Sequence, residues 1–393
     1  MRKVLITSNS ASMINLFNQL NINILQSMGY EIHVACNFYA SNTISMEAVA
    51  LVMDEWKAQG IVVHQVDYLR SPFTWKSFHI YRQIKTLIQT ENFDLIHCHT
   101  PIVAVFARLA AAKARRQGKT KLIYTAHGFH FYKGCPFENW LIYYPIEKLL
   151  ARCTDVLITI NTEDFQRATA HIPCTHIEHV HGIGVDTQHI RSAPFDRSML
   201  CKSLNISGKS RIILSAGELN ANKNHSIVIK ALGKIKSQDL HYLIAGIGAD
   251  KEKLVQMADS CGCGDNVHFL GYRKDIISLL KCSDIFVFPS FREGLSVILM
   301  EAMAAGVPIV ASRIRGNVDL IEDGVNGFLC DPEDAEGLAD KIQTLLEEPD
   351  LAQKFRTHSL EKIKEYDKSI VEEQLRKIYC EMDACVNVAT EKV

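Results

Sequence analysis

The sequence lacks both a strong overall charge and a long uninterrupted apolar segment. Its 43 lysines and arginines nearly balance 44 aspartates and glutamates, and the formal net charge is −1. No overall field therefore favours nucleic acid as a partner, and we expect none. The longest apolar segment, residues 102–112, is interrupted by Arg108 and falls short of the roughly 20 residues that a membrane-spanning helix needs. Any contact with a membrane is therefore expected to be peripheral.

The sequence also lacks the patterns of a disulfide framework, a metal site and an export signal. None of its twelve cysteines forms a C-x-x-C pair, and several lie in apolar runs, which indicates reduced, buried thiols. His97 and His99 share one side of a predicted strand, but no third ligand follows at a recognisable spacing, so we predict no metal. The first residues, MRKVLITSNSASM, lack the longer apolar core of a signal peptide. These features predict a cytoplasmic protein.

What the sequence does contain is a repeated alternation of strands and helices. With 393 residues, 47% of them hydrophobic, the chain is expected to form about two domains of roughly 150 to 200 residues. Short β-rich apolar runs alternate with helical stretches up to residue 181, and after an interruption over residues 182–210 the alternation restarts. This pattern predicts an α/β protein with two doubly wound parallel sheets. We predict domains at residues 1–190 and 191–393, with charged C-terminal helices in the second.

One stretch of the second half, FPSFREGLSVILMEAMAAGVPIVAS at residues 288–312, combines a strand end, a turn and a helix. Glu293 precedes Gly294 in the turn, and Glu301 lies eight positions later, roughly 10 Å along a helix that begins near Leu295. The free N–H groups at a helix start can hold a phosphate, and carboxylates can accept hydrogen bonds from sugar hydroxyls. The arrangement suits a nucleotide sugar.

Further glycines and cations follow other predicted strands, where ligands of such sheets bind. Gly217 permits a tight turn, and Lys223 precedes a probable helix, where its ammonium can neutralise a diphosphate. Gly246 and Gly248 also follow a predicted strand, but the third glycine of a dinucleotide fingerprint is missing. Arg273 follows the next predicted strand, where it could lie beside a base or a phosphate. Each motif alone fits an ordinary loop. Their succession at strand ends, together with the two glutamates, favours a binding site.

This succession resembles a retaining glycosyltransferase of family 4. The most specific part is E-x7-E, present as Glu293-GLSVILM-Glu301 and followed by GNVDLIEDGVNGFLCDPED, and the resemblance covers nearly the whole chain. It implies the GT-B architecture, in which two Rossmann-like domains face a cleft. The nucleotide sugar is then a substrate, and neither cofactor nor metal is expected.

The resemblance also implies roles for individual residues. Glu301 would hydrogen-bond the ribose, Glu293 would contact hydroxyls of the transferred sugar, and Lys223 would be the cation for the diphosphate. Sugar and diphosphate would be held by the backbone amides of Gly294, Leu295 and Ser296.

His127, in YTAHGFHFYKG, matches the histidine that the family places near the transferred sugar and the acceptor. The predicted catalytic residues are therefore His127, Glu293 and Lys223.

The chain departs from the family pattern in its phosphate loops. Glu218 follows Gly217 where the family often has arginine, so either another cation such as Arg273 compensates or Glu218 faces away. After the first predicted strand, SNSASM at residues 8–13 replaces the usual glycine-rich loop.

Two features of the first half leave alternatives open. The basic segment at residues 108–121 is either a solvated helix end or a surface that docks on anionic lipid head groups. The aromatic residues nearby form either an acceptor surface or part of the core; they are Phe129, Phe131, Tyr132 and Trp140.

Together these features predict an enzyme that transfers a sugar with retention from a nucleotide diphosphate sugar. A UDP-sugar is the expected donor, a saccharide or lipid-linked saccharide the expected acceptor, and surface polysaccharide assembly the expected context. The enzyme would act in the cytoplasm or peripherally at the inner membrane face. The alternatives are a nucleotide-sugar epimerase of the same architecture and a catalytically silent scaffold protein.

Overall fold

The computed structural model describes residues 1–40, 42, 44–69 and 75–390, without the side chains of Lys76 and of residues 384–390. Two compact units divide the chain. The first unit comprises Met1–Ile183 and Ser369–Val393, and the second unit comprises Gly184–Lys368.

The first unit alternates strands and helices as the sequence predicts. In chain order its elements are β1 (Arg2–Ser10), α1 (Ala11–Phe17), α2 (Gln19–Ser27), β2 (Tyr30–Asn37), α3 (Met46–Ala58), β3 (Val62–Gln65), α4 (Lys76–Glu91), β4 (Leu95–His99), α5 (Pro101–Arg116), β5 (Lys121–Ala126), α6 (Phe137–Leu150), β6 (Val156–Thr159), α7 (Thr162–His171) and β7 (His176–His179). Within the described residues the strands form one parallel sheet in the order β3-β2-β1-β4-β5-β6-β7.

The second unit, whose residues are all described, repeats this architecture. Its elements are α8 (Thr187–Ser192), α9 (Arg197–Ser203), β8 (Arg211–Ala216), α10 (His225–Ile235), β9 (Leu240–Ala245), α11 (Lys251–Ser260), β10 (Val267–Gly271), α12 (Ile276–Cys282), β11 (Ile285–Phe288), α13 (Val297–Ala305), β12 (Ile309–Ser312), α14 (Asn317–Leu320), β13 (Phe328–Cys330), α15 (Ala335–Glu347) and α16 (Pro349–Lys362). The parallel strand order is β10-β9-β8-β11-β12-β13. The prediction of two doubly wound α/β domains is confirmed.

Each sheet is buried on both faces, which explains why its strands read as continuous apolar runs. In β1, Val4 and Ile6 belong to one hydrophobic core, and Leu5 between them belongs to another on the opposite face. In β8, Ile212 and Ile213 divide in the same way. Successive side chains of a strand point to opposite faces, so helices must cover both sides of the sheet.

The predicted domain division is corrected in two respects. The first unit ends at Ile183 rather than at residue 190, and the final helix α17 (Lys368–Thr390) belongs almost entirely to the first unit. Val371, Leu375 and Tyr379 of α17 are buried in the core that also contains Val4. The charged composition of this segment conceals an apolar stripe, and burial of that stripe decides where the helix packs. Among the described residues, no helix is both long and apolar enough to span a membrane.

Candidate active site

The turn that carries Glu293 and Gly294 lies between β11 and α13. Helix α13 begins at Val297, two residues after the predicted start, so Gly294, Leu295 and Ser296 all precede it. The first N–H groups of a helix have no partner within the helix. The side chain of Ser296, the N-cap residue, makes no capping hydrogen bond. Backbone donors at a helix start suit an anion, and the binding of a diphosphate at this one stays a prediction.

A second loop, directly after β12, packs tightly against this turn. A Cβ atom on Gly316 would lie 2.0 Å from the carbonyl oxygen of Gly294, and the φ angle of Gly316 is +81°. Next to it, Nη2 of Arg315 lies 3.4 Å from the carbonyl oxygen of Glu293. Neither Arg315 nor Gly316 is among the site residues that the sequence predicts. Their position at the end of β12, an edge where ligands of parallel sheets bind, was the available signal.

Lys223 and Glu293 form an ion pair that joins two loops of the second unit. Nζ of Lys223 donates to Oε1 of Glu293 at 2.7 Å, and the side chains are 23% and 16% exposed. The two loops are also joined through their backbones, because the amide of Phe291 donates to the carbonyl of Asn222 at 2.8 Å. The structure therefore brings together two of the three predicted catalytic residues.

Close packing of glycines shapes the loop before Lys223. A Cβ atom on Gly217 would lie 3.2 Å from the Lys223 side chain, so the absence of a side chain at Gly217 leaves room for the lysine. A Cβ atom on Gly246 would lie 1.9 Å from the carbonyl oxygen of Gly217. Gly246 is thus required for the close approach of two backbone segments, which glycine permits because it has no Cβ atom.

Replacing Gly246 with alanine is expected to destabilise the protein by at least about 2 kcal/mol, because the Gly217 loop must move to admit the methyl group. Chemical denaturation monitored by circular dichroism measures this change. Gly208 is a matched control because its Cβ would meet no atom within 4 Å. Equal stability of the Gly246→Ala and Gly208→Ala proteins would contradict the proposed role of this contact.

The structure does not join Arg273 to the Lys223–Glu293 pair. Its guanidinium is held in a bidentate ion pair with Asp275, at 2.7 and 2.6 Å. The side chain of Glu218 is exposed and makes no hydrogen bond or ion pair with the described residues. Of the two explanations left open by the sequence, the outward orientation of Glu218 agrees with the structure. A role for Arg273 in donor binding stays a prediction.

Glu301 lies on α13 with a half-buried side chain. Burial raises the pKa of its carboxyl group to about 7, because a charged carboxylate is poorly solvated there. No hydrogen bond to this carboxylate is formed by the described residues. A carboxylate has two oxygens and can accept hydrogen bonds from two neighbouring hydroxyl groups. The ribose of a nucleotide has such a pair of hydroxyl groups.

His127 follows β5 in the first unit, and its half-buried ring contacts a second histidine. Its Nε2 atom lies 3.1 Å from Nδ1 of His99. Burial lowers the pKa of His127 to about 4, so the imidazole is neutral at pH 7. His97 is engaged by Tyr379 and Thr125. Among the described residues, no group of three or more His, Cys, Asp or Glu side chains is arranged to hold a metal ion.

Burial bears on the two open alternatives in the first half. Arg108, from the basic segment, is buried and forms two hydrogen bonds with Glu147, at 2.8 and 3.1 Å, and Arg115 pairs with Asp155. These cations stabilise the fold, which leaves the segment with fewer charges for a lipid surface. Of the four aromatic residues, Phe129 and Phe131 are buried in the core. Tyr132 and Trp140 are half-buried.

Comparison with known proteins identifies the family of the chain. Residues 196–362 match the family "Glycosyl transferases group 1", and residues 3–161 match "Glycosyl transferase 4-like". The chain is 37% identical to the putative glycosyltransferase EpsD of Bacillus subtilis (strain 168) over 358 residues, 90% of each chain. It is 28% identical, over 65% of this chain and 67% of the relative, to the UDP-Gal:alpha-D-GlcNAc-diphosphoundecaprenol alpha-1,3-galactosyltransferase of Escherichia coli.

Solved structures share the fold at low sequence identity. HepE from Anabaena in complex with UDP-glucose has a TM-score of 0.77 and 19% identity, covering 97% of this chain and 100% of that chain. WaaG, a glycosyltransferase involved in lipopolysaccharide biosynthesis, has a TM-score of 0.69 and 17% identity, covering 95% and 99%. The fold and the site thus define a glycosyltransferase with the two Rossmann-like domains of the GT-B class. The chain belongs to the group 1 glycosyltransferase family, with a 4-like N-terminal domain.

Proposed function

We propose that this enzyme transfers a sugar, with retention and without a metal ion, from a UDP-sugar to a saccharide or lipid-linked saccharide acceptor. The observation that carries the proposal is the Lys223–Glu293 ion pair beside the start of α13, with Glu301 on the same helix. The printed substrates of the Escherichia coli relative, a UDP-sugar and a diphosphoundecaprenol-linked sugar, support the donor and acceptor classes. The diphosphoundecaprenol-linked acceptor of that relative also fits the expected role in assembling a surface polysaccharide such as a capsule or exopolysaccharide.

Each group of the second unit has a chemical task in this proposal. The backbone donors at residues 294–296 and the positive end of the α13 dipole bind the diphosphate. Lys223 has three N–H donors, so it can keep its bond to Glu293 while donating to a phosphate oxygen. As the bond to the sugar breaks, negative charge develops on the leaving nucleotide, and these preorganised donors stabilise it. Arg273 is a further candidate for the nucleotide if it leaves Asp275.

The remaining carboxylates recognise the donor's sugars. Glu293 accepts hydrogen bonds from hydroxyls of the transferred sugar, and its pairing with Lys223 fixes its position. Glu301 accepts hydrogen bonds from the ribose. In the first unit, His127 contacts the sugar substrates as a neutral imidazole, since its pKa of about 4 leaves no positive charge at pH 7. No cofactor takes part.

Product analysis tests the reaction type. The purified full-length protein is incubated with UDP-glucose, UDP-galactose, UDP-N-acetylglucosamine or GDP-mannose, each with and without a lipid-linked saccharide acceptor. Acceptor-dependent release of UDP with a glycosylated product that keeps the donor's anomeric configuration supports the proposal. Conversion of a donor into an isomeric nucleotide sugar without acceptor would establish the epimerase instead. Donor binding without any turnover would indicate the silent scaffold.

We also propose that the enzyme acts at the inner face of the membrane through an exposed apolar stripe on α6. Phe137, Leu141 and Leu149 are 70%, 62% and 63% exposed, and their spacing of four and eight residues places them on one helix face. Two exposed cations lie close by, Lys148 in the last turn of α6 and Arg152 two residues after the helix ends. Apolar side chains beside cations bind the interface of an anionic bilayer.

Replacing both Leu141 and Leu149 with glutamate is expected to weaken binding to phosphatidylglycerol-containing vesicles by at least about tenfold, since each buried leucine contributes roughly 1.5 to 3 kcal/mol. Co-sedimentation with vesicles measures the change. Leu51→Glu is the control, because Leu51 is similarly exposed, at 65%, but lies on a different helix, α3. Binding that is equal in the double variant and the original protein would contradict the proposed surface, as would no binding by either.

A further inference from the structure

Two buried histidines lie beside His127 with no role in the proposed reaction. His97 and His99 are on the same face of β4, and their rings are 4.2 Å apart. They are 0% and 1% exposed. Burial lowers the pKa of His97 to about 3 and that of His99 well below its usual range. Each ring is therefore neutral and carries one proton, on either Nδ1 or Nε2.

The proton of His97 can be placed from its partners. Nδ2 of Asn21 donates to Asn18, so Oδ1 of Asn21 accepts from the hydroxyl of Tyr379, at 2.9 Å. Tyr379 has then used its only proton, and its oxygen must accept the bond of 2.9 Å from Nδ1 of His97. Nε2 of His97 is thereby unprotonated and accepts from the hydroxyl of Thr125, at 2.8 Å.

The proton of His99 follows from burial of its second nitrogen. Nε2 of His99 is buried and has no hydrogen-bond partner among the described residues. A cavity of about 20 Å³ adjoins the ring, and most of its lining is apolar, including Phe17, Leu20, Ile158, Val180 and Leu375. In proteins, a buried N–H group without an acceptor is rarer than a buried acceptor without a donor. The proton therefore belongs on Nδ1, where it is donated to Nε2 of His127 across 3.1 Å.

The state of His127 is then fixed as well. Its Nε2 accepts from His99, so its own proton is on Nδ1. Among the described residues, Nδ1 of His127 has no hydrogen-bond partner, which leaves this N–H group for a ligand. An N–H donor suits the hydroxyl and phosphate oxygens that a sugar substrate presents.

We propose that His99 is a positioning residue that holds His127 as a neutral Nδ1–H donor toward an oxygen of the bound sugar substrate. His127 then cannot accept a proton through Nε2, so it orients substrate rather than acting as a general base. This inference rests on the proposed function only for the identity of the ligand, because the proton arrangement is a property of the free protein.

Nitrogen-15 NMR of the full-length protein, labelled at histidine, tests the inference directly. The spectrum separates a ring protonated on Nδ1 from one protonated on Nε2, and a His127→Gln sample assigns the signals. We expect His127 to carry its proton on Nδ1. In His99→Leu, the signal should shift toward the Nε2–H form. The same substitution should lower the turnover number about ten- to a hundredfold through misorientation of His127.

Two further variants separate positioning from loss of structure. In His99→Asn, the side-chain amide offers a donor where Nδ1 stood, so His127 should keep Nδ1–H and most of its turnover. In His99→Asp, the carboxylate can only accept, so the proton of His127 should move to Nε2 and turnover should fall. His64→Asn is the matched control, because it breaks another histidine pair, 2.8 Å to His33, on edge strand β3. It should change neither the His127 signal nor turnover.

The outcomes distinguish failure of this inference from failure of the proposed function. A His127 proton on Nε2 in the original protein would overturn the inference, as would an unchanged His127 signal in both His99→Leu and His99→Asp. Lower turnover in His99→Asn and His99→Asp alike, without a change of tautomer, would also overturn it. If the original protein turned over no nucleotide sugar, the proposed function would fail while the NMR comparison still decided the proton arrangement.

Discussion

Replacing Lys223 with alanine is expected to lower the turnover number by about 10²- to 10³-fold, the loss typical when one preorganised donor to a developing negative charge is removed. The ammonium lies 2.7 Å from Glu293, at the turn where the diphosphate is proposed to bind. Its charge matters most in the transition state, when the leaving nucleotide gains negative charge. The effect should therefore fall on the turnover number more than on the Michaelis constant of the donor.

Part of this loss should come from the carboxylate that Lys223 leaves behind. Without the lysine, Glu293 would carry an uncompensated negative charge beside the diphosphate. Adding Glu293→Gln to the Lys223→Ala protein should thus lower turnover by less than the product of the two single effects. Lys230→Ala is the control, because Lys230 is an exposed lysine of the following helix. Steady-state assays of nucleotide release measure the original protein, the two single variants, the double variant and the control. A Lys223→Ala enzyme as fast as the control would refute this role.

Replacing Glu301 with glutamine is expected to weaken donor binding about 10- to 100-fold, because hydrogen bonds to a charged group contribute roughly 1.5 to 3 kcal/mol. The substitution keeps the size of the side chain and removes its charge. Isothermal titration calorimetry with the preferred nucleotide sugar measures the change. Glu252→Gln, at an exposed glutamate of α11, is the control and should bind the donor normally.

The same pair of proteins should differ in the pH dependence of binding. In the free protein the pKa of Glu301 is raised to about 7, and ribose hydroxyls prefer the ionised carboxylate, so bound donor lowers that pKa. Affinity should therefore rise with pH up to about 7 and level off above it, since below that pH binding must release a proton. The Glu301→Gln protein has no proton to release there and should lack this rise. An equal rise in both proteins would exclude Glu301 as its source.

The sequence predicts the fold because both sheets are buried on two faces, and such strands leave continuous apolar runs. It also predicts Glu293, Glu301 and Lys223, since each follows a strand or sits at a helix where ligand chemistry requires its residue type. Their mutual geometry is a different matter. Lys223 and Glu293 are 70 residues apart, and their contact depends on β8 and β11 being neighbours in the sheet. No local sequence pattern shows that β8 and β11 pair in the sheet.

The same limit explains what the sequence analysis missed. Arg108 belongs to a basic run, and its burial depends on Glu147, which lies 39 residues away. Tyr379 sits in a charged C-terminal segment, and its buried hydroxyl is satisfied by His97, 282 residues earlier. In both cases a distant group decides whether a polar side chain is solvated or buried. Composition alone cannot supply that partner.

Donor binding is the measurement that tests the central claim most directly. The full-length protein is titrated with UDP-glucose, UDP-galactose, UDP-N-acetylglucosamine and GDP-mannose, and each titration is repeated with the Glu301→Gln protein. We predict that at least one UDP-sugar binds the original protein and that Glu301→Gln weakens this binding. Absence of binding to every donor, or equal binding by both proteins, would contradict the assignment of this site to a nucleotide sugar.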